Sequence, residues 1–87
     1  MSDSKLREGI RDLRKELDRD TTRDPALRGR LQGIIDDLES RLSSADESLH
    51  KRLLEDLRGA VQQFEAEHPR ATGILNDIMV TLSNLGI

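Results

Sequence analysis

Two short stretches of this chain carry the residue types and spacing of metal chemistry. Glu47-Ser-Leu-His50 and Glu65-Ala-Glu-His68 both read Glu-x-x-His, the i,i+3 ligand pair that di-iron carboxylate bundles build into their cores. On one helix the two pairs would stand five whole turns apart, with both histidines near the same face. The same geometry separates them by about 27 Å along the axis, so one chain cannot bring both to one ion. Two antiparallel copies of that helix could. Such sites also need inward glutamates from other helices, and no core position clearly offers one. With 17 acidic residues in 87, pairs at this spacing arise readily by chance. Glu47, His50, Glu65 and His68 are therefore candidate ligands only. The expectation is no metal and no cofactor, with both histidines near helix ends and His68 serving a turn.

Other chemistry has less to work with. There is no Cys, which removes thiol nucleophiles, disulfides and thiolate zinc sites. No Gly-x-Ser-x-Gly elbow or phosphate-cradling glycine loop occurs, and neither histidine has an evident nucleophile. Adjacent acids such as Asp36-Asp37 point in different directions on a helix. A small helical domain also lacks a substrate cavity of several hundred Å3. The chain is not expected to be an enzyme. Nucleic acid fares little better. Residues 1–30 hold nine basic and seven acidic side chains, and residues 31–87 hold five and ten. Interleaved acids cancel most of the basic field, and no Tyr or Trp is present to stack on bases. An Arg-rich adaptor binding nucleic acid weakly through the first helix is the alternative reading.

The elements that would position these residues are all helical. Leu6, Ile10, Leu13 and Leu17 step by 4, 3 and 4, a narrow apolar stripe with charges on the other faces. Ser2, Asp3 or Ser4 can cap this first helix. Asp24-Pro25 predicts a second start, because a residue before Pro is pushed into extended backbone and Pro suits the first helical position. Leu27, Leu31, Ile34, Ile35, Leu38 and Leu42 mark its buried face. Gly29 and Gly33 fall opposite that stripe. They read either as a close contact with a second helix or, more plainly, as solvent-facing weak spots costing about 1 kcal/mol each.

Ser44 followed by Glu47 matches a capping box, and Leu49, Leu53, Leu54, Leu57, Val61 and Phe64 form the third stripe. His68-Pro69 repeats the logic of Asp24-Pro25, so a break is predicted there, a proline kink within one long helix being the alternative. The last helix presents Ala71, Ile74, Leu75, Ile78, Met79, Leu82 and Leu85, with Gly86 as a left-handed C′ residue and Ile87 folded back on Leu82. It is too polar to span a membrane, with Asn76, Asp77, Thr81, Ser83 and Asn84 in its length. It also lacks the Lys/Arg-rich face of an interfacial helix. Charges interrupt every apolar residue of the opening, so no signal peptide is predicted and the cytoplasm is the expected location.

The prediction is thus one all-α domain over residues 1–87. It forms a coiled-coil-like bundle of about four helices in antiparallel hairpins, at about 3–19, 25–43, 45–67 and 69–85. Its core is thin for its size, and with disulfides excluded, self-association is the expected source of extra stability. A homodimer is expected, with Phe64, Ile74, Leu75, Ile78, Met79, Leu82 and Leu85 as core or interface. The expected role is a non-enzymatic interaction or structural module whose protein partner the sequence does not name.

One stretch is distinctive beyond its periodicity. "FEAEHP" followed by "GILNDIMVTLSNLGI" resembles the C-terminal signature of a small bacterial family labelled as a domain of unknown function, DUF4404. The opening "LREGIRDLRKEL" resembles its N-terminal helix. The resemblance implies a compact helical bacterial protein, and it implies no activity and no catalytic residue. It also implies a more apolar first turn after the proline than Arg70-Ala71-Thr72 provides.

Overall fold

The four apolar stripes become four helices, α1 (Ser2–Arg19), α2 (Pro25–Ser43), α3 (Glu47–Phe64) and α4 (Pro69–Leu85). They are seen in a computed structural model that describes residues 2–19, 24–44 and 46–85, apart from the side chains of residues 2, 3 and 85. No strand occurs among the described residues. Each helix packs on its neighbours in chain order, and α1 closes the ring against α4. The extents of 34 × 21 × 17 Å match one helix length by about two helix diameters.

Local chemistry sets the helix ends. Asp24 is extended (φ −93°, ψ 102°), and its Oδ1 accepts the Ala26 and Leu27 N–H groups at 3.0 and 3.3 Å. The predicted capping box of Ser44 and Glu47 does not form. Asp46 caps α3 instead, accepting the Ser48 N–H at 2.8 Å, while the Ser44 N–H closes α2 on the Ser40 carbonyl. A carboxylate is a stronger acceptor for free N–H groups at a positive helix end than a hydroxyl is.

Helix α3 stops at Phe64, three residues before the expected Glu67. The Phe64 carbonyl accepts both the Glu67 N–H (3.2 Å) and the His68 N–H (2.8 Å), tightening the chain into a turn. His68-Pro69 is therefore a break rather than a kink. Helix α1 already includes Ser2–Ser4, so the cap expected there belongs to its first turn. The expected Gly86–Ile87 cap lies outside the described residues.

The core takes one stripe from each helix. Leu13, Leu31, Ile35, Leu38, Leu53, Leu57, Leu75 and Leu82 are among those sealed from solvent. Phe64 and Ile78 join them, and Leu17, Leu42, Leu54, Ile74 and Met79 pack against the edge. Helix α4 thus finds cover for its apolar stripe within its own chain. The Arg70-Ala71-Thr72 turn is accommodated without a larger apolar residue. Ala71 and Thr72 are buried, and the Thr72 hydroxyl lies within hydrogen-bonding distance of the His68 and Pro69 carbonyls, at 3.2 and 3.1 Å.

The seam that closes the ring depends on Gly9. A Cβ there would lie 2.6 Å from Ile78 Cγ1, well inside van der Waals contact, so the missing side chain lets α1 approach α4. At Gly29 and Gly33 a Cβ would meet nothing within 4 Å, as in the plainer of the two readings. The two settings predict opposite outcomes for one substitution. Gly33→Ala raises stability by about 0.5–1 kcal/mol through helix propensity. Gly9→Ala lowers it by about 1–2 kcal/mol, overpacking outweighing the same propensity gain. Urea unfolding of both variants checks the contrast, and equal shifts would contradict the close seam.

Candidate functional site

Both residues that precede a proline lie at the same end of the ring, because α2 and α4 both start there. Although 44 positions apart in sequence, they touch: His68 Nε2 is 3.1 Å from Asp24 Oδ2. With Asp24 ionised, its carboxylate can only accept, so Nε2 carries the hydrogen and donates. The other oxygen, Oδ1, takes the two N–H groups of α2. One carboxylate therefore caps a helix and holds the opposite turn. The His68 hydrogen bond first, then the Leu27 N–H, draw the Asp24 carboxyl below its ordinary value of 3.8, against a smaller opposing effect of desolvation.

The His68 ring is held from its other side as well. Phe64 meets it edge to face, ring centres 5.9 Å apart, and only about 10% of the side chain is exposed. Its carbonyl accepts the Thr72 N–H at 3.1 Å, starting α4. Glu67 adds a third ligand-type group, its carboxylate lying with Asp24 and His68 in a set of atoms all within 4.8 Å of one another. Beside them a cavity of about 170 Å3 is lined by Glu16, Leu27, Leu31, Glu67, His68 and Arg70, among others. Arg70 Nε sits 3.4 Å from Glu16 Oε1, joining α4 to α1.

The Glu-x-x-His pairs do not assemble in this chain. Glu47 is exposed at the start of α3, and Glu65 is exposed in the turn after α3. The helix that would have aligned both pairs ends at Phe64, and Glu65 is not among the ligand-type groups gathered around His68. His50 is buried, with neither ring nitrogen hydrogen-bonded among the described residues. His68 instead finds Asp24 and Glu67, which the motif did not include. The available signal was the repeated acceptor-Pro or donor-Pro step. In an antiparallel four-helix order both such steps fall at one end.

The remaining predicted positions divide by depth. Phe64, Leu75, Ile78 and Leu82 are in the core, and Ile74 and Met79 lie at its edge. Leu85 is the last residue of α4, and its side chain is outside the described set. Two shallower grooves flank the ring. One of about 360 Å3, between α1 and α4, includes Lys5, Glu8, Asp12, Asp77 and Val80. The other, of about 260 Å3, lies beside Gly29 and Gly33, where Arg30 Nη2 donates to the Asp56 carbonyl at 3.3 Å. No described helix is long and apolar enough to cross a membrane.

The fold and this corner define a four-helix antiparallel bundle whose proline-led turns are tied by a histidine–aspartate contact. A family model described as a domain of unknown function, DUF4404, matches residues 6–87, and the chain belongs to that family. No curated protein and no solved structure matches it.

Two outcomes follow from the two histidines. Asp24 has a lowered pKa in the fold, so its contribution is present above the unfolded value and is lost as pH falls through the folded one. Asp24→Asn is expected to be less stable than wild type at neutral pH, with the difference shrinking as pH drops below about 4. Thermal melts across that range test the sign. Burial of unpaired polar atoms costs about 1–3 kcal/mol, so His50→Leu is expected to stabilise the bundle by about 1–2 kcal/mol. A lower melting temperature for that variant would show that the ring nitrogens have partners.

Proposed function

We propose that this chain is a non-enzymatic helical interaction module that self-associates through the outward face of α4. The supporting observation is Val80, about 60% exposed and the large hydrophobic residue left outside among the described residues. Gly73, Asn76 and Asn84 share its side of α4 and are also exposed, at helical steps of 3, 4 and 4. Arg70 and Asp77 are the only charges on this helix, in a chain that is 36% charged. Little charge therefore has to be desolvated when a second chain covers this face.

The apolar stripe given as core or interface is used within the chain, which leaves the opposite side of the same helix for an interface. A specific interface takes roughly 800 Å2 from each partner. A strip of one helix is narrower than that, so the flanks of α1 and α3 join it. The family resemblance implies a bacterial setting.

Light scattering between about 10 and 200 μM, a range that detects micromolar association, is expected to show a dimer. Val80→Asp is expected to give a monomer of unchanged helicity. A monomeric wild type throughout would overturn the reading. The alternative, weak nucleic-acid binding through α1, draws on Arg7, Arg11 and Lys15, exposed at successive steps of four. Glu8 and Asp12 lie among them, and Arg14 is engaged by Glu39 of α2. Failure to retain generic DNA or RNA at about 50 mM salt would remove it.

A further inference from the structure

We propose that the Asp24–Glu67–His68 corner is a binding site for one divalent transition-metal ion of the zinc type. The set holds one imidazole nitrogen and two carboxylates, donors that zinc accepts together. Their ligand atoms lie within 4.8 Å of one another although they come from two separate turns. Bonds of about 2.0–2.2 Å at a tetrahedral angle place neighbouring ligand atoms about 3.3 Å apart. The His68 Nε2 to Asp24 Oδ2 separation of 3.1 Å is already close to that edge. Glu67 is exposed on the turn, so its carboxylate can close the remaining distance without moving a helix. Water supplies the fourth position, as it does in three-ligand zinc sites.

Two of the ligands are held before any ion arrives. The Ala26 and Leu27 N–H groups fix Oδ1 of Asp24 and leave Oδ2 aimed at His68. Phe64 packs on the imidazole, which is nearly buried. Such support of the ligands by surrounding groups is what sets affinity in metal sites. The ion would bind the Nε2 lone pair in place of the hydrogen that Nε2 donates to Asp24.

Among the described residues the charges at this corner favour a cation. The starts of α2 and α4 face this corner, and each free helix N-terminus carries about +0.5 charge. Two carboxylates bring −2, and Asp24 Oδ1 already occupies the first N–H groups of α2. Arg70 is a cation lining the cavity, and it is drawn to Glu16. The ion would replace one hydrogen bond between the turns with a three-point staple, the kind of support a small core without disulfides can use.

The test is calorimetric titration of chelator-free protein with zinc chloride, alongside thermal melts. One ion per chain is expected, with a raised melting temperature. Glu67→Gln leaves the Asp24–His68 contact and the fold intact, and is expected to weaken zinc binding by at least about tenfold. His68→Gln is expected to abolish it. No binding by wild type at about 100 μM zinc, or binding unchanged by Glu67→Gln, would overturn the site. Neither outcome bears on self-association through α4, which the light-scattering experiment reads separately.

Discussion

A residue that precedes proline cannot easily remain in the α region, and the rest of this bundle depends on that steric rule being applied twice. At Asp24 it produces an extended residue whose carboxylate turns back to cap α2. At His68 it ends the turn after α3 and starts α4. Without these stops, the apolar stripes before and after each proline could run on as longer helices. No pair of them would then fold back to share a core. The contact between Asp24 and His68 makes the two stops one structure. A displacement of either turn is felt at the other, 44 residues away.

Helix existence was legible because each stripe has a period near 3.6, and α2, α3 and α4 each start at Pro or an acidic cap. α2 begins and ends where the pattern says, and α4 begins at Pro69 as expected. The errors have local causes. At the α2–α3 connection Ser44 and Asp46 are both good caps, and the Ser44–Glu47 spacing pointed to the weaker acceptor of the two. The choice falls to Asp46, which leaves Ser44 free to finish α2. At the end of α3, Glu65-Ala66-Glu67 consists of good helix formers. Their propensity is overridden by the turn that must deliver His68 to Asp24.

The site was less legible than the fold, for a related reason. A motif read along one helix, such as Glu-x-x-His, assumes that the helix continues through it. Here it does not. The groups that do meet come from two turns, and their proximity is a property of topology. The same holds for Gly9. Its local sequence, Arg-Glu-Gly-Ile, looks like an ordinary weak spot in a charged helix. Only the closing of α1 against α4 sets Ile78 over it.

That closure also accounts for the uncharged composition of α4. It packs along both α3 and α1, and its contact with α1 is close enough to require glycine. Long charged side chains on those two flanks would have to thread between backbones, so small residues such as Ala71 and Thr72 occupy the buried positions there. Packing on two sides explains the flanks but not the outward strip, where Gly73, Asn76, Val80 and Asn84 face solvent in the isolated chain. On α1 the corresponding outward positions are Arg7, Arg11 and Lys15, as solvation alone would favour. The same pressure acts on α4 and yields a valine and a glycine instead. The internal core does not account for that difference, and the proposed association through α4 draws on it. Covering this strip would desolvate less charge than covering the corresponding strip of α1, which carries Arg7, Arg11 and Lys15.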